Sequence, residues 1–494
     1  METNTNIGVL LTIFLLLIFL GYRKIVKDHN FFSQRGIAFI KPKIFFGNMF
    51  ESFLEFENQE VLLKRFYNDF KREKLFGIFM FLRPIIIAKD VELIKKITVT
   101  HSTQFHNRDR SSLDDLLSKS IYNLEGSQWL HTKIAIAPFF EESAIKIFYS
   151  NISLCADDFM RMLDKKRSSS NDNELVIDTK TVIEEFLSNV IALIILGKGI
   201  VYGERNAVYE IAKRIEEDLK SLRGGIKIFF MTHFPVISEF FDMKIFSKEI
   251  YDFFREHVTE EIKNRKRRKV DKDKNRQDFV QFLMNTNNHL DDVTINAQIF
   301  SFFVSGFSPI SKLFQLCCYE LAKNERIQNE LYEEIRNEND FLRNYKNLKI
   351  LDKIILETLR KWPPINNLNR ICNQNCTIEL KNGEKYRFFK NDFIKIPLNL
   401  IQNDHELFYD PNYFNPHRFD SDDGEKNLNI IFPFGIGERA CLCSEIAIFQ
   451  VKLVLFEITR KYLILQSQKT ATPVGCSFLS DSNAICVRIK LRTK

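Results

Sequence analysis

The sequence predicts a mainly α protein with small, segregated β-sheets, an α+β chain. Two observations carry this. Helical apolar patterns run from about residue 127 to 338, and β-type runs gather in separate short stretches outside them. Residues 76–81 and 84–88 read as a strand pair, and Lys89-Asp90 after it reads as a helix start. Residues 367–404 are strand-rich, with Asn382-Gly383 as a hairpin turn. Residues 476–490 again read as strands. Residues 405–433 hold Pro411 and Pro416 and little periodicity, and a loop that long in a compact domain usually serves a site.

The N-terminus reads differently. Residues 3–22 carry no charge, and 7–20 are almost wholly apolar. At about 1.5 Å per residue, such a helix spans roughly 30 Å, a bilayer core. No basic stretch precedes it and no small-x-small site closes it, so a cleaved signal is disfavoured. Arg23, Lys24 and Lys27 follow, which places the rest of the chain on the cytosolic side. Residues 1–22 are therefore read as a single-pass membrane anchor.

Composition narrows the function classes. The 494 residues show no linker and no internal repeat, and 45% are apolar, enough for a large core. Net charge is +7, and residues 263–276 alone carry nine basic and two acidic side chains, a local +7. The basicity thus sits in one solvated connector, and no aromatic residue interleaves with it. That argues against nucleic-acid binding and leaves contact with acidic lipid heads open. Nine cysteines without a framework suit a reducing compartment. Phenylalanine is common (48) and tryptophan rare (2), a bias that reads as packing.

The chemistry-bearing segment is Phe434-Gly435-Ile436-Gly437-Glu438-Arg439-Ala440-Cys441-Leu442-Cys443, followed by an apolar helical pattern. Two glycines allow a tight loop. Cys441 then falls near a helix N-terminus, where thiolate is favoured over thiol. A soft anionic sulfur in a stiff loop suits an iron ligand. Arg439 is placed to pair with a cofactor carboxylate. Two other readings compete: Cys441 as a small core hydrophobe, and a zinc site of Cys372, Cys376, Cys441 and Cys443.

This loop resembles the heme-binding signature of the cytochrome P-450 family, Phe-x-x-Gly-x-Arg-x-Cys-x-Gly. Phe434, Gly435, Gly437, Arg439 and Cys441 match, and Cys443 stands in place of the last glycine. Glu357-Thr358-Leu359-Arg360 resembles the family's Glu-x-x-Arg, and Trp362-Pro363-Pro364 stops that helix. Pro416-His417-Arg418-Phe419 resembles Pro-Glu-Arg-Phe, with His417 replacing the acid. Trp129 and Lys133 resemble Trp-x-x-x-Arg, with lysine for arginine. Residues 35–37, 41–42 and 45–48 look like the hinge of insect microsomal members.

The resemblance implies a cytochrome P-450 fold behind an N-terminal transmembrane anchor: anchor 1–22, a basic, proline-containing hinge 23–48, and a single catalytic domain 49–494. It implies heme b, with iron held by the Cys441 thiolate. Phe434, Arg439, Trp129, Lys133 and Arg370 would be heme contacts, and Glu357, Arg360 and Arg418 a buried charge network beneath the heme. The partners implied are an NADPH-cytochrome P-450 reductase docking near Lys133 and Arg439, cytochrome b5 as an optional second donor, the endoplasmic reticulum membrane, and a small lipophilic substrate. Substrate walls would come from residues 105–122, 200–241, 300–309, 365–369 and 477–479.

One segment departs from the family. Residues 294–324 read as a buried central helix. Where the family has Ala-Gly-x-acid-Thr, this chain has Ser305-Gly306-Phe307-Ser308-Pro309. Ser308 can only pass protons through water. Pro309 lacks an N–H, so an opened turn at Ser305 is expected. The implied activity is a monooxygenase. Two alternatives are a peroxide isomerase or dehydratase on the same fold, and a catalytically silent heme protein that binds hydrophobic ligands.

Overall fold

A computed structural model describes residues 30–54, 58–108, 115–169, 174–197, 207–267, 277–286, 290–420, 424, 427–470, 473 and 485–492. The expected anchor, the first part of the hinge, residues 268–276 of the basic run and 476–484 of the last strand-like stretch lie outside them. The strands among the described residues are β1 (Leu75–Met80), β2 (Arg83–Ala88), β3 (Glu174–Asp178), β4 (Asn367–Ile371), β5 (Cys376–Glu379), β6 (Lys385–Phe388), β7 (Phe393–Pro397), β8 (Tyr462–Thr470) and β9 (Ile485–Leu491). The chain divides into two compact units. One comprises residues up to Asp109 with Asn367–Leu400, the other Arg110–Asn366 with Ile401–Lys494.

The first unit is built on a sheet of order β1-β2-β7-β4. β1 and β2 pair antiparallel from Leu75↔Ala88 to Met80↔Arg83, β2 runs parallel to β7, and β7 antiparallel to β4. The Ile85-Ile86-Ile87 run supplies the β-branched side chains such a sheet packs. Helix α1 (Gln59–Asp69) buries Leu62 and Phe66 with Phe76, Ile78 and Ile87. Asp90 caps α2 (Val91–Lys95), its carboxylate accepting from the Leu93 amide at 2.8 Å. β5 and β6 form the hairpin expected around Asn382-Gly383, with Gly383 at φ 87°.

The second unit is helical. Its principal helices are α3 (Gly126–Ile136), α4 (Glu142–Ser168), α5 (Thr179–Leu196), α6 (Ala207–Lys220), α7 (Leu222–His233), α8 (Pro235–Phe240), α9 (Asp292–Lys323), α10 (Glu325–Ile335), α11 (Lys349–Lys361) and α12 (Ser444–Lys461). α9 is the central element, buried on nearly every side from Ile310 to Leu321. It is long and apolar enough to cross a membrane, yet 56% of its most apolar window is buried inside the protein, so it reads as a core helix. A small sheet, β3-β9-β8, also belongs to this unit. β3 lies inside the stretch the sequence presents as helical, so the sheets are less segregated toward the ends than expected.

Pro309 sits inside α9 without ending it. The opened turn expected at Ser305 does not interrupt the helix, because proline removes a single N–H while the flanking turns stay bonded. The Ser305 hydroxyl donates back to the Ser301 carbonyl at 2.6 Å.

The irregular stretch before the Cys441 loop is held by a buried charge network. Glu357 and Arg360, three residues apart on α11, are fully buried, and Arg418 is 9% exposed. The Glu357 carboxylate accepts from Arg360 Nε at 2.8 Å, from Arg418 Nε at 3.0 Å and from the Asn415 amide at 3.0 Å. Five further guanidinium donors go to backbone carbonyls: Arg360 to Gln402 and Pro411, Arg418 to Tyr409, Asp410 and Tyr413. Gln402 in turn donates to the Leu359 and Arg360 carbonyls and accepts from the Phe432 amide at 3.1 Å. His417 bridges outward, Nε2 to Glu330 at 2.6 Å and Nδ1 to Asp420 at 2.8 Å.

Glu357→Gln leaves two buried guanidinium groups without their shared anion, and a loss of about 3–5 kcal/mol is expected. Denaturant unfolding of the purified protein measures it; wild-type stability would remove the network from its supporting role. His417 titrates above its ordinary value, chiefly through its bonds to Asp420 and Glu330. Its contribution to stability is therefore complete below about pH 6.5 and lost as pH rises through the raised value. Glu330 and Asp420 are both lowered, Asp420 chiefly by Lys353, and stay charged throughout that window. Wild type should lose stability relative to His417→Ala as pH rises from about 6.5 through the raised value; a constant difference would show that the imidazole is not charged in the bridge.

Candidate functional site

The Cys441 loop is shaped by its own backbone. Gly435 and Gly437 take φ of 72° and 75°, values that side-chain-bearing residues resist. The Gly435 amide donates to the Phe432 carbonyl at 2.9 Å, the Ala440 amide to Gly437 at 3.0 Å, and the Cys441 amide to Phe434 at 2.8 Å. Through Gln402 and Phe432 this turn is tied to the charge network. Cys441 is exposed, and α12 starts three residues later at Ser444. The first-turn amides of α12 thus lie just beyond the sulfur-bearing residue, an arrangement that favours an anion.

Arg439 points the other way. It is 6% exposed. Its guanidinium donates to the Ile121 carbonyl at 2.9 Å and to the Leu124 carbonyl at 2.6 Å. It also lies 4.1 Å from the Trp129 ring centroid, while the Lys133 ammonium lies 5.0 Å from the same ring. Trp129, Lys133 and Arg439 are therefore together, as the sequence suggested. Arg439 does not serve as an exposed docking charge for a partner, because burial withdraws it, while Lys133 is half-buried.

Sequence reading missed the residue that steadies this group. Gln298 of α9, 2% exposed, accepts from the Ile121 amide at 2.8 Å and donates to the Lys119 carbonyl at 2.7 Å. It fixes the same turn that Arg439 clamps. The available signal was an amide side chain within an apolar helix. A second missed residue is Glu184 of α5, which accepts from Ser311 of α9 at 3.4 Å. Burial, opposed by Lys180, pushes its carboxyl up to about 7.

The other expected site residues fall as follows. Phe434 is half-buried and packs on the main core. Ser308 is half-buried on α9, one turn after the exposed Ser305. A Cβ built on Gly306 would meet nothing closer than the Phe302 ring at 4.0 Å, so α9 has an open face here. Arg370 belongs to the other unit, on β4, where it is 2% exposed and donates to the Asn369 carbonyl at 2.9 Å. Residues 109–114, 200–206 and 477–479 of the expected substrate walls lie outside the described ones.

The four-cysteine zinc reading loses its footing. Among the described residues no group of three or more His, Cys, Asp or Glu side chains could hold a metal. Cys372 and Cys376 interact with each other, and Cys443 with Cys441. The bond to Cys441, with burial, pushes the Cys443 thiol well above its ordinary value. The arrangement around Cys441 fits a flat, anionic, iron-bearing macrocycle instead. It offers one accessible sulfur on a pinned turn and two cations beside one indole.

Comparison with known proteins agrees. A family model described as Cytochrome P450 matches residues 39–480. The chain is 26% identical over 493 residues to a Drosophila melanogaster protein named probable cytochrome P450 9f2, covering 92% of this chain and 93% of that one. It is 28% identical over 472 residues to cytochrome P450 9b2 of the same fly, covering 92% of each. It is 27% identical over 493 residues to cytochrome P450 9e2 of Blattella germanica, covering 90% of each.

Proposed function

From the premise that this chain belongs to the cytochrome P450 family of heme-thiolate monooxygenases, we propose that it is a membrane-bound enzyme that oxygenates a small lipophilic substrate with electrons from an NADPH-cytochrome P-450 reductase. Cys441 is the iron ligand in this reading. The single observation that carries it is the Cys441 turn itself: an accessible sulfur, a turn pinned by glycine backbone and by Gln402, and a helix N-terminus just beyond.

The bound heme supplies dioxygen activation, with a thiolate that favours cleavage of the O–O bond. The protein supplies the rest. The Phe432–Cys441 turn fixes where the sulfur sits. Lys133 offers a point charge to a heme carboxylate, and Arg439 and Trp129 hold the wall beside it. Ser308 can move a proton only by way of water.

Membrane association in the endoplasmic reticulum has two supports. Residues 3–22 form an uncharged apolar stretch followed by basic residues. On α7, α8 and the residue after α8, Leu222, Val236, Phe240 and Phe241 are 81%, 77%, 82% and 65% exposed. A soluble surface seldom leaves so many large apolar side chains bare in one short stretch, and lipid contact would cover them. A lipophilic substrate fits the same setting, and cytochrome b5 is an optional second electron donor.

A second reading rests on Ser308-Pro309. With neither an acid nor a threonine there, a peroxide could be rearranged without external electrons. Turnover of a lipid hydroperoxide with NADPH absent would favour it, and reductase-dependent oxygenation with no such turnover excludes it. Ligand-induced spectral shifts without product under any electron source would mark a silent binder.

Cys441→Ser should abolish the thiolate signature of the reduced, carbon-monoxide-bound protein, and a retained signature would take Cys441 out of the role. Ser308→Glu combined with Pro309→Thr should raise product formed per NADPH consumed, by several-fold, if proton supply limits coupling. Unchanged coupling would show that the segment does not limit the reaction.

A further inference from the structure

A cavity of about 560 Å³ lies in the helical unit, within the size range of small-molecule sites. Neither Cys441 nor any residue expected to contact heme lines it, and of the expected substrate walls only Leu116 does. One wall is the helix Lys248–Phe253 with the π-helical turn Phe254–Val258 that follows. The other is the start of α9, at Val293 and Asn296. Phe246 and Phe254 are buried and stand edge-on to Phe300 of α9, at ring distances of 5.2 and 4.8 Å, so the aromatic wall is stiff. Asn296 donates to the Thr259 hydroxyl at 3.0 Å and ties the two walls together. A π-helical turn carries one residue more than the α-helix around it, and such turns concentrate at functional sites. This one brings Arg255 to the cavity.

Charge then selects the occupant. Lys244, Lys248 and Arg255 line the cavity and are exposed at its mouth, against one acid, Asp252. Lys248 lies 4.0 Å from Asp252 and Lys244 3.7 Å from Asp242, both loose pairs. Arg255 has no ion-pair partner among the described residues. Other acids nearby are engaged elsewhere: Glu249 by Arg214, Asp291 by Lys119 and Asp292 by Lys266. An apolar hollow with surplus positive charge at its mouth is complementary to a molecule that is apolar along its body and anionic at one end. A guanidinium matches a carboxylate with two parallel N–H donors. We propose that this cavity is a binding site for an amphipathic carboxylate, an apolar chain or ring ending in one acid group, with Arg255 holding the carboxylate and Phe246 and Phe254 the apolar body. Such a site is independent of what Cys441 binds.

The test is photoaffinity labelling of the heme-loaded full chain with decanoate bearing a diazirine on its chain, located by mass spectrometry, beside the matching alcohol. The acid should label the segments 244–259 and 293–296, and excess plain decanoate should suppress that labelling. The alcohol should label them more weakly. Arg255→Glu, at an exposed position, should cut labelling by the acid on the order of tenfold, the worth of a charged contact. Arg255→Gln should act in the same direction. Lys263→Glu, an exposed cation that does not line the cavity, should leave it unchanged. No suppressible labelling in these segments overturns the site. Labelling by the alcohol as strong as by the acid, or unmoved by Arg255→Glu, overturns the carboxylate. Equal losses in Arg255→Glu and Lys263→Glu reduce the effect to bulk charge and also overturn the proposal.

Discussion

The Glu357 carboxylate, shared between two buried arginines, is the interaction on which the rest of the helical unit depends. Alone it could not justify its burial, since desolvating three charges costs more than one ion pair returns. The geometry resolves this by counting donors. Each guanidinium has five N–H groups. Most of those not spent on Glu357 go to the carbonyls of Gln402, Tyr409, Asp410, Pro411 and Tyr413. An irregular segment has carbonyls to satisfy and no strand or helix to satisfy them. The arginines take the place of a ladder, so the segment becomes stiff without becoming regular.

That stiffness reaches the sulfur through one amide side chain. Gln402 binds the Leu359 and Arg360 carbonyls at one end and the Phe432 amide at the other. Phe432 begins the turn in which Gly435 and Cys441 donate to Phe432 and Phe434. On its far side Arg439 clamps Ile121 and Leu124, and Gln298 holds the same segment from α9. A metal ligand must be held to a fraction of an ångström for its chemistry to be reproducible. Here three buried polar side chains, on three parts of the chain, supply that constraint, while Cys441 stays accessible.

Much of this was legible in the sequence because the signals were local. The Asn382-Gly383 turn, the Asp90 cap, the apolar span of α9 and the arginine–glutamate spacing each need only a few neighbouring residues. What was hidden depends on distant partners. β3 pairs antiparallel with β9, from Glu174↔Lys490 to Asp178↔Cys486, so its strand character comes from a segment some 300 residues away. Gln298 and Gln402 look like ordinary polar residues until their partners are known. Arg439 was legible as a cation near a cofactor, but its burial, which removes it from any docking face, was not. The anchor and part of the substrate walls lie outside the described residues.

The central helix shows how structure and chemistry can separate. Pro309 within a helix ordinarily costs about 3 kcal/mol, yet α9 runs unbroken from Asp292 to Lys323. Packing accounts for that: from Ile310 to Leu321 the helix is buried on nearly every side, so tertiary contacts hold it whatever the local preference. Shape is therefore preserved through a residue that supplies no hydroxyl and no amide. Proton handling has no such safeguard, because it depends on particular atoms at particular places. The packing that keeps the helix continuous is thus independent of any acid–alcohol pair on its face.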